Sequence, residues 1–251
     1  MAAYSGTGRA GTPQLDALRA AVGAAVVAGP GVDGSAVGLA CVAALPGDGA
    51  AITLMSGNAD RALLCSSDEV LIEVEKQEYT LGEGPSLEAF STGRPVLVPQ
   101  ISDPSLGRRW PILAAQLALL PLGGLFTFPL RIGRVSVGVC SLYRRAGGKL
   151  SRHDLGLVSS ALDLSTYALI AVRGDAAGPG IDAAPAVDQS TSRDRVHQAT
   201  GMLIVQLRVD TKTAFARLRG YAYSTGRDLE SVADDIVNRR LRLQPDPVPA
   251  P

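Results

Sequence analysis

Basic and aromatic side chains spaced along the last quarter of the chain are the residues best suited to chemistry. Arg217, Arg219 and Tyr223 fall off the apolar stripe Phe215/Leu218/Ala222, Gln198 and Thr200 flank Ala199, and Arg227 stands where one helical pattern hands over to the next. A guanidinium is a planar fork for a phosphate or a guanine edge, and a phenol ring is a platform on which an unpaired base can stack. That is the chemistry of binding rather than of bond making. Around these positions, Tyr221 reads as packing at the edge of a core, and Ala199 and Gly201 read as allowing close helix approach. Arg239, Arg240 and Arg242 suit the negative end of a last helix.

Constellations that would make or break bonds are missing. Glu83 and Glu88 could pair as acid and base, but nothing else in the chain suggests a nucleophile or a water site. Gly82 and Gly84 lack the Lys-Ser or Lys-Thr of a phosphate loop and read as the turn that aims the next helix. His153 stands at a helix start, as a surface or capping residue, and His197 reads as a partly exposed helix residue. Cys41, Cys65 and Cys140 form no CxxC and have no His pair nearby, so they read as buried thiols. No haem, bilin or flavin attachment pattern is present. No metal, cofactor or catalysis is therefore expected.

The elements that must position the binding residues follow from periodicity. Three short amphipathic helices are expected over 192–209, 210–226 and 227–243. In the first, Val196, Ala199, Leu203 and Leu207 recur at three- and four-residue steps behind Thr191 and Ser192 as N-cap candidates. Asp210 and Thr211 can cap the second, and Gly226 can supply its left-handed C-terminal residue. Leu229, Val232, Ala233, Ile236 and Val237 line the third until Pro245 stops it. Connections this short make the three stripes close one small core.

Upstream, helix and strand alternate. Leu15–Ala28 reads as a helix, Val37–Leu45 and Ala51–Ser56 as strands about the turn Pro46-Gly47-Asp48-Gly49, and Ala62–Ser66 as a further strand before a helix from Ser67. A glycine turn leads into a helix from Pro85, and Pro95–Val98 is extended. A helical run follows Trp110. Strands at Gly124–Leu130 and Val135–Tyr143 join at Ile132-Gly133, and a helix over Ser151–Val172 closes the unit. This is an α+β fold, an antiparallel sheet with packed helices, followed by an all-α three-helix bundle.

Length and composition bound the rest. The 251 residues suit two domains, and 46% hydrophobic with 19% charged residues is ordinary for soluble protein. The opening MAAYSGTGRAGTP is neither signal peptide nor span, and Asp16, Arg19 and Gly23 interrupt the apolar run from Leu15 to Val27. A cytoplasmic protein with no membrane partner is expected. The net charge is zero, yet residues 190–251 hold ten Arg and Lys against seven Asp and Glu, a balance of +3. A segregated positive end on a neutral chain suits a small phosphate-contacting footprint. The expected domains are a flexible tail at 1–13, a sensor-like domain at 14–173, a Pro/Gly/Ala linker at 174–190, a helical domain at 191–244 and a disordered Pro-rich tail at 245–251.

Two resemblances attach to these segments. Gln198-Ala199-Thr200-Gly201-Met202-Leu203, Ala214-Phe215-Ala216-Arg217-Leu218-Arg219 and Leu229-Glu230-Ser231-Val232-Ala233-Asp234-Asp235-Ile236-Val237 together resemble an ANTAR domain. That resemblance implies a three-helix module that binds paired small RNA hairpins in nascent transcripts and prevents termination. Gln198, Thr200, Arg217, Arg219, Tyr223 and Arg227 are then its RNA-contacting candidates. Leu81-Gly82-Glu83-Gly84-Pro85 with Leu87, Ala89 and Phe90, then Phe128-Pro129-Leu130-Arg131 and Val135-Ser136-Val137-Gly138-Val139, resemble a GAF domain. This implies a sensory fold related to PAS, a homodimer through its first and last helices, and an unidentified small-molecule ligand. The expectation is a sensory antitermination regulator acting in signal transduction. Its rivals are a C-terminal bundle that docks DNA or protein, and a GAF-fold thiol reductase. The reductase would need two or three thiols converging near a pocket, whereas Cys41 and Cys140 are both placed in strand cores.

Overall fold

The structure, a computed structural model, describes residues 12–28, 35–57, 60–173 and 190–244. The expected linker up to 189, the C-terminal tail at 245–251 and residues 1–11 of the N-terminal tail lie outside the described residues. The chain divides into two compact units, one built on a sheet and one on the last three helices.

In the first unit, β1 (Gly49–Met55), β2 (Arg61–Ser66), β3 (Val96–Val98), β4 (Gly124–Ile132) and β5 (Val135–Arg144) form one antiparallel sheet in the order β2-β1-β5-β4-β3. A two-residue turn, Gly133-Arg134, joins β4 to β5 with Ile132 opposite Val135, and Gly133 takes the left-handed φ of 60° that such a turn requires. Side chains alternate across the pleat. Ile52, Leu54, Phe126, Phe128, Cys140 and Leu142 enter one core with α1 (Thr12–Ala28), α2 (Ser35–Ala44) and α7 (Arg152–Arg173). Thr53, Thr127 and Ser141 are buried on the other face, where the Thr127 and Ser141 hydroxyls meet at 3.0 Å.

The expected strand at Val37–Leu45 is a helix, α2. Its buried positions Val37, Cys41 and Ala44 fall four and three apart, and Leu39 faces outward. A short run of Val, Ala, Leu and Gly that is apolar all round carries no period of its own, so only the neighbours it packs on choose between helix and strand. Here α2 packs on α1, α7, β1 and β2.

Local hydrogen bonds place the remaining helices. The Asp68 carboxylate accepts from Val70 N at 3.1 Å and opens α3 (Glu69–Leu81). Pro85 starts α4 (Pro85–Thr92), and Gly93, with φ of 64°, ends it. The helical run expected after Trp110 is present as α6 (Leu113–Leu117), and a further short helix, α5 (Leu106–Arg109), stands before Trp110. Ser151 and Asp154 exchange bonds of 2.8 and 3.1 Å in a capping box at the start of α7.

The second unit holds α8 (Ser190–Leu207), α9 (Thr211–Thr225) and α10 (Leu229–Val237), each packed on the other two. Val196, Ala199, Leu203, Ala214, Leu218, Ala222, Val232 and Ala233 are fully buried, so the three stripes do close one core. Asp210 Oδ1 accepts from Thr213 N at 2.7 Å, and Gly226 takes φ of 63° as the C-cap of α9. The first helix begins earlier than expected, so Thr191 and Ser192 lie within α8 rather than before it. The third is shorter, ending at Val237 with Asn238 as its cap. Arg239 adopts a left-handed φ of 59°, Arg240 N and Leu241 N bond back to Asp235 O, and the chain turns so that Leu243 is buried.

Candidate functional site

On α9, residues four apart share a face. Arg219 and Tyr223 therefore stand together, as do Arg217 and Tyr221. Tyr223 is exposed and Arg217 and Arg219 are half-buried, with the Arg219 guanidinium 4.4 Å from the Phe215 ring centre. Stacking a cation on a ring that is itself held in the core fixes its direction. Gln198 is exposed on α8.

Two candidates are placed differently from expectation. Thr200 is buried, and its hydroxyl donates to Val196 O at 2.7 Å, one turn back in α8. A threonine hydroxyl beside a core stripe satisfies itself on the preceding carbonyl rather than reaching outward. Arg227 donates to Asp235 Oδ2 at 2.5 Å and to Ser231 Oγ at 3.1 Å, so its charge is engaged on α10. Asp235 also accepts from Arg240 at 2.7 Å. The Arg227 and Arg240 bonds hold its carboxyl below the usual range. The fork expected at the helix end is therefore an intradomain clamp. Gly201 is exposed with open space where a Cβ would stand, so it allows no close approach, whereas Ala199 does lie in the core.

The acid–base pair does not form. Glu83 Oε1 accepts from Ile112 N and Leu113 N, both at 2.8 Å, and so caps α6. Glu88 pairs with Arg109, whose Nε donates to Oε2 at 2.8 Å. Both carboxylates have structural partners.

Cys41 lies on α2 and not in a strand, and this brings the three thiols into one core cluster. Cys65 and Cys140 both stand opposite Ile52, on the two strands that flank β1. All three are buried, and the Cys41 thiol points at Ala161 O, 3.8 Å away. Burial pushes Cys65 up to about 12, and the hydrogen bond with Cys41 together with burial holds Cys140 well above the ordinary thiol range. The bond with Cys140 pulls the Cys41 thiol below the ordinary range, so it is burial, shared by all three, that keeps the cluster from reacting. A disulfide reagent added to the native protein is expected to label none of the three on the timescale that labels all of them in denaturant. Rapid native labelling at even one site would refute this inert reading.

Sequence reasoning missed the buried ions of the first unit. Arg61 is sealed at the start of β2, with Nε 3.4 Å from Glu75 Oε1 and an NH2 group 3.5 Å from Glu78 Oε2. Burial pushes the Glu78 carboxyl up while Arg61 pulls it down, and Glu78 also accepts from Ser86 N at 2.8 Å. The only sequence signal was the Glu75-Lys76-Gln77-Glu78 run on α3, which reads as a solvated helix face.

Among the described residues no helix is long and apolar enough to cross a membrane, and no group of three His, Cys, Asp or Glu could hold a metal ion.

Comparison with known proteins adds the following. Residues 187–237 match the family model of the ANTAR domain. Solved structures similar to the chain include the GAF domain of an Acinetobacter phosphoenolpyruvate-protein phosphotransferase, at 16% identity, 63% of this chain, 94% of that chain and a TM-score of 0.41. The corresponding GAF domain from Coxiella burnetii gives 12% identity, 64% and 94% coverage and a TM-score of 0.42. A free methionine-R-sulfoxide reductase from Neisseria meningitidis gives 13% identity, 63% and 87% coverage and a TM-score of 0.42. No curated protein matches the chain. Residues 187–237 thus form an ANTAR domain, behind a unit with an α+β fold.

Proposed function

We propose that the protein is a cytoplasmic, non-enzymatic transcription regulator whose ANTAR domain binds tandem RNA hairpins in nascent transcripts and thereby prevents termination. The observation that carries this reading is the ANTAR match over 187–237, on helices that hold Gln198, Arg217, Arg219 and Tyr223 off their core stripes. The GAF-like unit serves as signal input, through a small molecule, and as the dimerisation element. Val26 and Val27 on α1, Leu39 on α2 and Leu155 on α7 are exposed apolar side chains on helices that pack together, which supports pairing through that layer. A dimer presents two ANTAR domains, and joining two weak sites selects paired hairpins by their spacing.

The test is binding of the full chain to a labelled tandem-hairpin RNA across a salt series, with unlabelled hairpin, loop-scrambled RNA and duplex DNA as competitors. Competition by the unscrambled hairpin alone supports the proposal. Equal competition by all three, or preference for duplex DNA, replaces it with the rival docking module. Arg219→Ala is expected to weaken hairpin binding roughly tenfold, with only a small loss of thermal stability from the lost stacking on Phe215. Wild-type affinity in that variant would move the RNA face elsewhere.

A further inference from the structure

The two longest strands, β4 and β5, run on past the rest of the sheet. β3 pairs with β4 only as far as Val96 opposite Thr127, and β1 pairs with β5 only as far as Leu54 opposite Gly138. Beyond those rungs the hairpin continues as a two-stranded ribbon, with Arg131 opposite Ser136 and Ile132 opposite Val135. The register shifts between Leu130 and Arg131, so Val137 has no partner on β4. A bulge of this kind bends a ribbon and tightens its twist, and such bulges gather where a side chain is re-aimed for function.

Every residue from Arg131 to Val135 is exposed. Because side chains alternate, the ribbon has two unlike faces. Ile132 and Val135, 42% and 64% exposed, lie across from each other on one, and Arg131 lies on the other. Arg134 occupies the turn. Arg131 also donates to Gly93 O at 3.4 Å, which sets it beside Arg94, exposed in the turn between α4 and β3. Among the described residues no carboxylate pairs with Arg94, Arg131 or Arg134.

The charge is concentrated in this part of the chain. Residues 84–152 hold nine Arg and Lys against two Asp and Glu, a balance of +7 in a protein of zero net charge. Both acids are engaged elsewhere, Glu88 with Arg109 and Asp103 with the backbone of Ser105. Arginine alone would serve solubility at the end of a strand pair, but two exposed β-branched side chains beside it work against solubility. A sugar-phosphate backbone offers the matching chemistry, apolar ribose faces flanked by anionic oxygens. The wide, shallow minor groove of an A-form helix admits a ribbon two strands across, and there the ribbon meets 2′-hydroxyls and phosphates. Two apolar side chains are too few to hold such a chain at a membrane.

We infer that this ribbon is a second RNA-contacting surface, on which Arg131, Arg134 and Arg94 hold backbone phosphates of a hairpin stem and Ile132 and Val135 pack on its sugars. The inference rests on the RNA-binding proposal and adds to it a part for the first unit. Phosphate contacts position a nucleic acid without reading its sequence, so the ribbon grips the stem and leaves the loop to the ANTAR domain.

The test uses the full chain, a labelled tandem-hairpin RNA and anisotropy across a salt series. Each phosphate contact contributes about 0.7–0.9 to the slope of log affinity against log salt, so Arg131→Gln with Arg134→Gln is expected to lower that slope by about 1.5. Affinity should fall roughly tenfold for hairpin and loop-scrambled RNA alike, leaving their ratio as in the wild type. Arg131→Lys with Arg134→Lys keeps the charge and is expected to restore the slope. Lys149→Gln with Arg152→Gln removes the same charge from exposed positions beyond the far end of β5 and is expected to leave the slope as it was. Equal effects of the two glutamine pairs would overturn the ribbon in favour of net charge alone. An unmoved slope in Arg131→Gln with Arg134→Gln, in a chain that still prefers hairpin RNA, would overturn it while leaving the RNA proposal standing. Sedimentation of the wild type with phosphatidylserine vesicles, lost in that pair while RNA affinity stays, would overturn it in favour of a lipid surface. Absence of hairpin preference in the wild type would remove the RNA proposal and this one with it.

Discussion

Replacing Arg61 with methionine is expected to destabilise the first unit by about 3–5 kcal/mol at neutral pH, the usual cost of removing one partner from a buried ion group. The side chain is fully buried, and it is the positive charge beside Glu75 and Glu78, which are themselves sealed. Without it, two carboxyls must either keep charge in the core or hold protons against neutral solvent. The pH dependence has a definite sign. Burial already raises Glu78 in the native chain, and losing the opposing pull of Arg61 raises it further. A raised carboxyl disfavours folding once the unfolded chain ionises, so the deficit is full above the raised native value, shrinks as the pH falls from there towards the ordinary value of 4.5, and is gone below it. Urea titrations at pH 7 and pH 4, followed by the single tryptophan Trp110, which is buried in this unit, measure it. A gap that stays the same at both pH values would show that Arg61 acts through packing alone.

In the second unit, Leu203→Ala is expected to cost about 2–5 kcal/mol, the loss of transfer energy plus the cavity left behind. Leu203 is fully buried in α8. A three-helix core of this size has only about 3–5 kcal/mol in reserve, so the variant should leave the unit largely unfolded and abolish hairpin binding. Val205→Ala, two residues away at 80% exposure, is the control and should change neither. Far-UV circular dichroism during heating reads the helix loss while Trp110 fluorescence reports the first unit separately. An unchanged helical transition in Leu203→Ala would contradict the packing described for the three stripes.

These two sites differ in how far they could be read from the residues alone. Leu203 belongs to a repeat of apolar positions at three- and four-residue steps, and such a repeat states which side of a helix must be covered whatever covers it. Arg61 belongs to no pattern. An arginine at the start of a strand reads as exposed until the two glutamates from α3 are brought beside it. The cysteines make the same point: their lack of CxxC spacing said truly that they were buried, yet their convergence depends on α2 being a helix, which a run of Val, Ala, Leu and Gly does not declare.

The amino-acid sequence by itself determined the elements whose period or punctuation is local. These are α8 to α10 with their stripes, the Asp210 cap, the Gly226 stop, the hairpin from β4 to β5 and the turn into α4. It also carried the linked motifs that match the ANTAR domain. Only the tertiary structure decided the partners of side chains: that Thr200 turns inward, that Arg227 is clamped by Asp235, that Glu83 caps α6, and that Arg131 meets the turn at Gly93-Arg94. The physical reason is the range of the forces. Backbone preference and apolar period act within a turn or two of chain, whereas a charge or hydroxyl finds its partner among residues that folding, and not sequence spacing, brings within 3 Å.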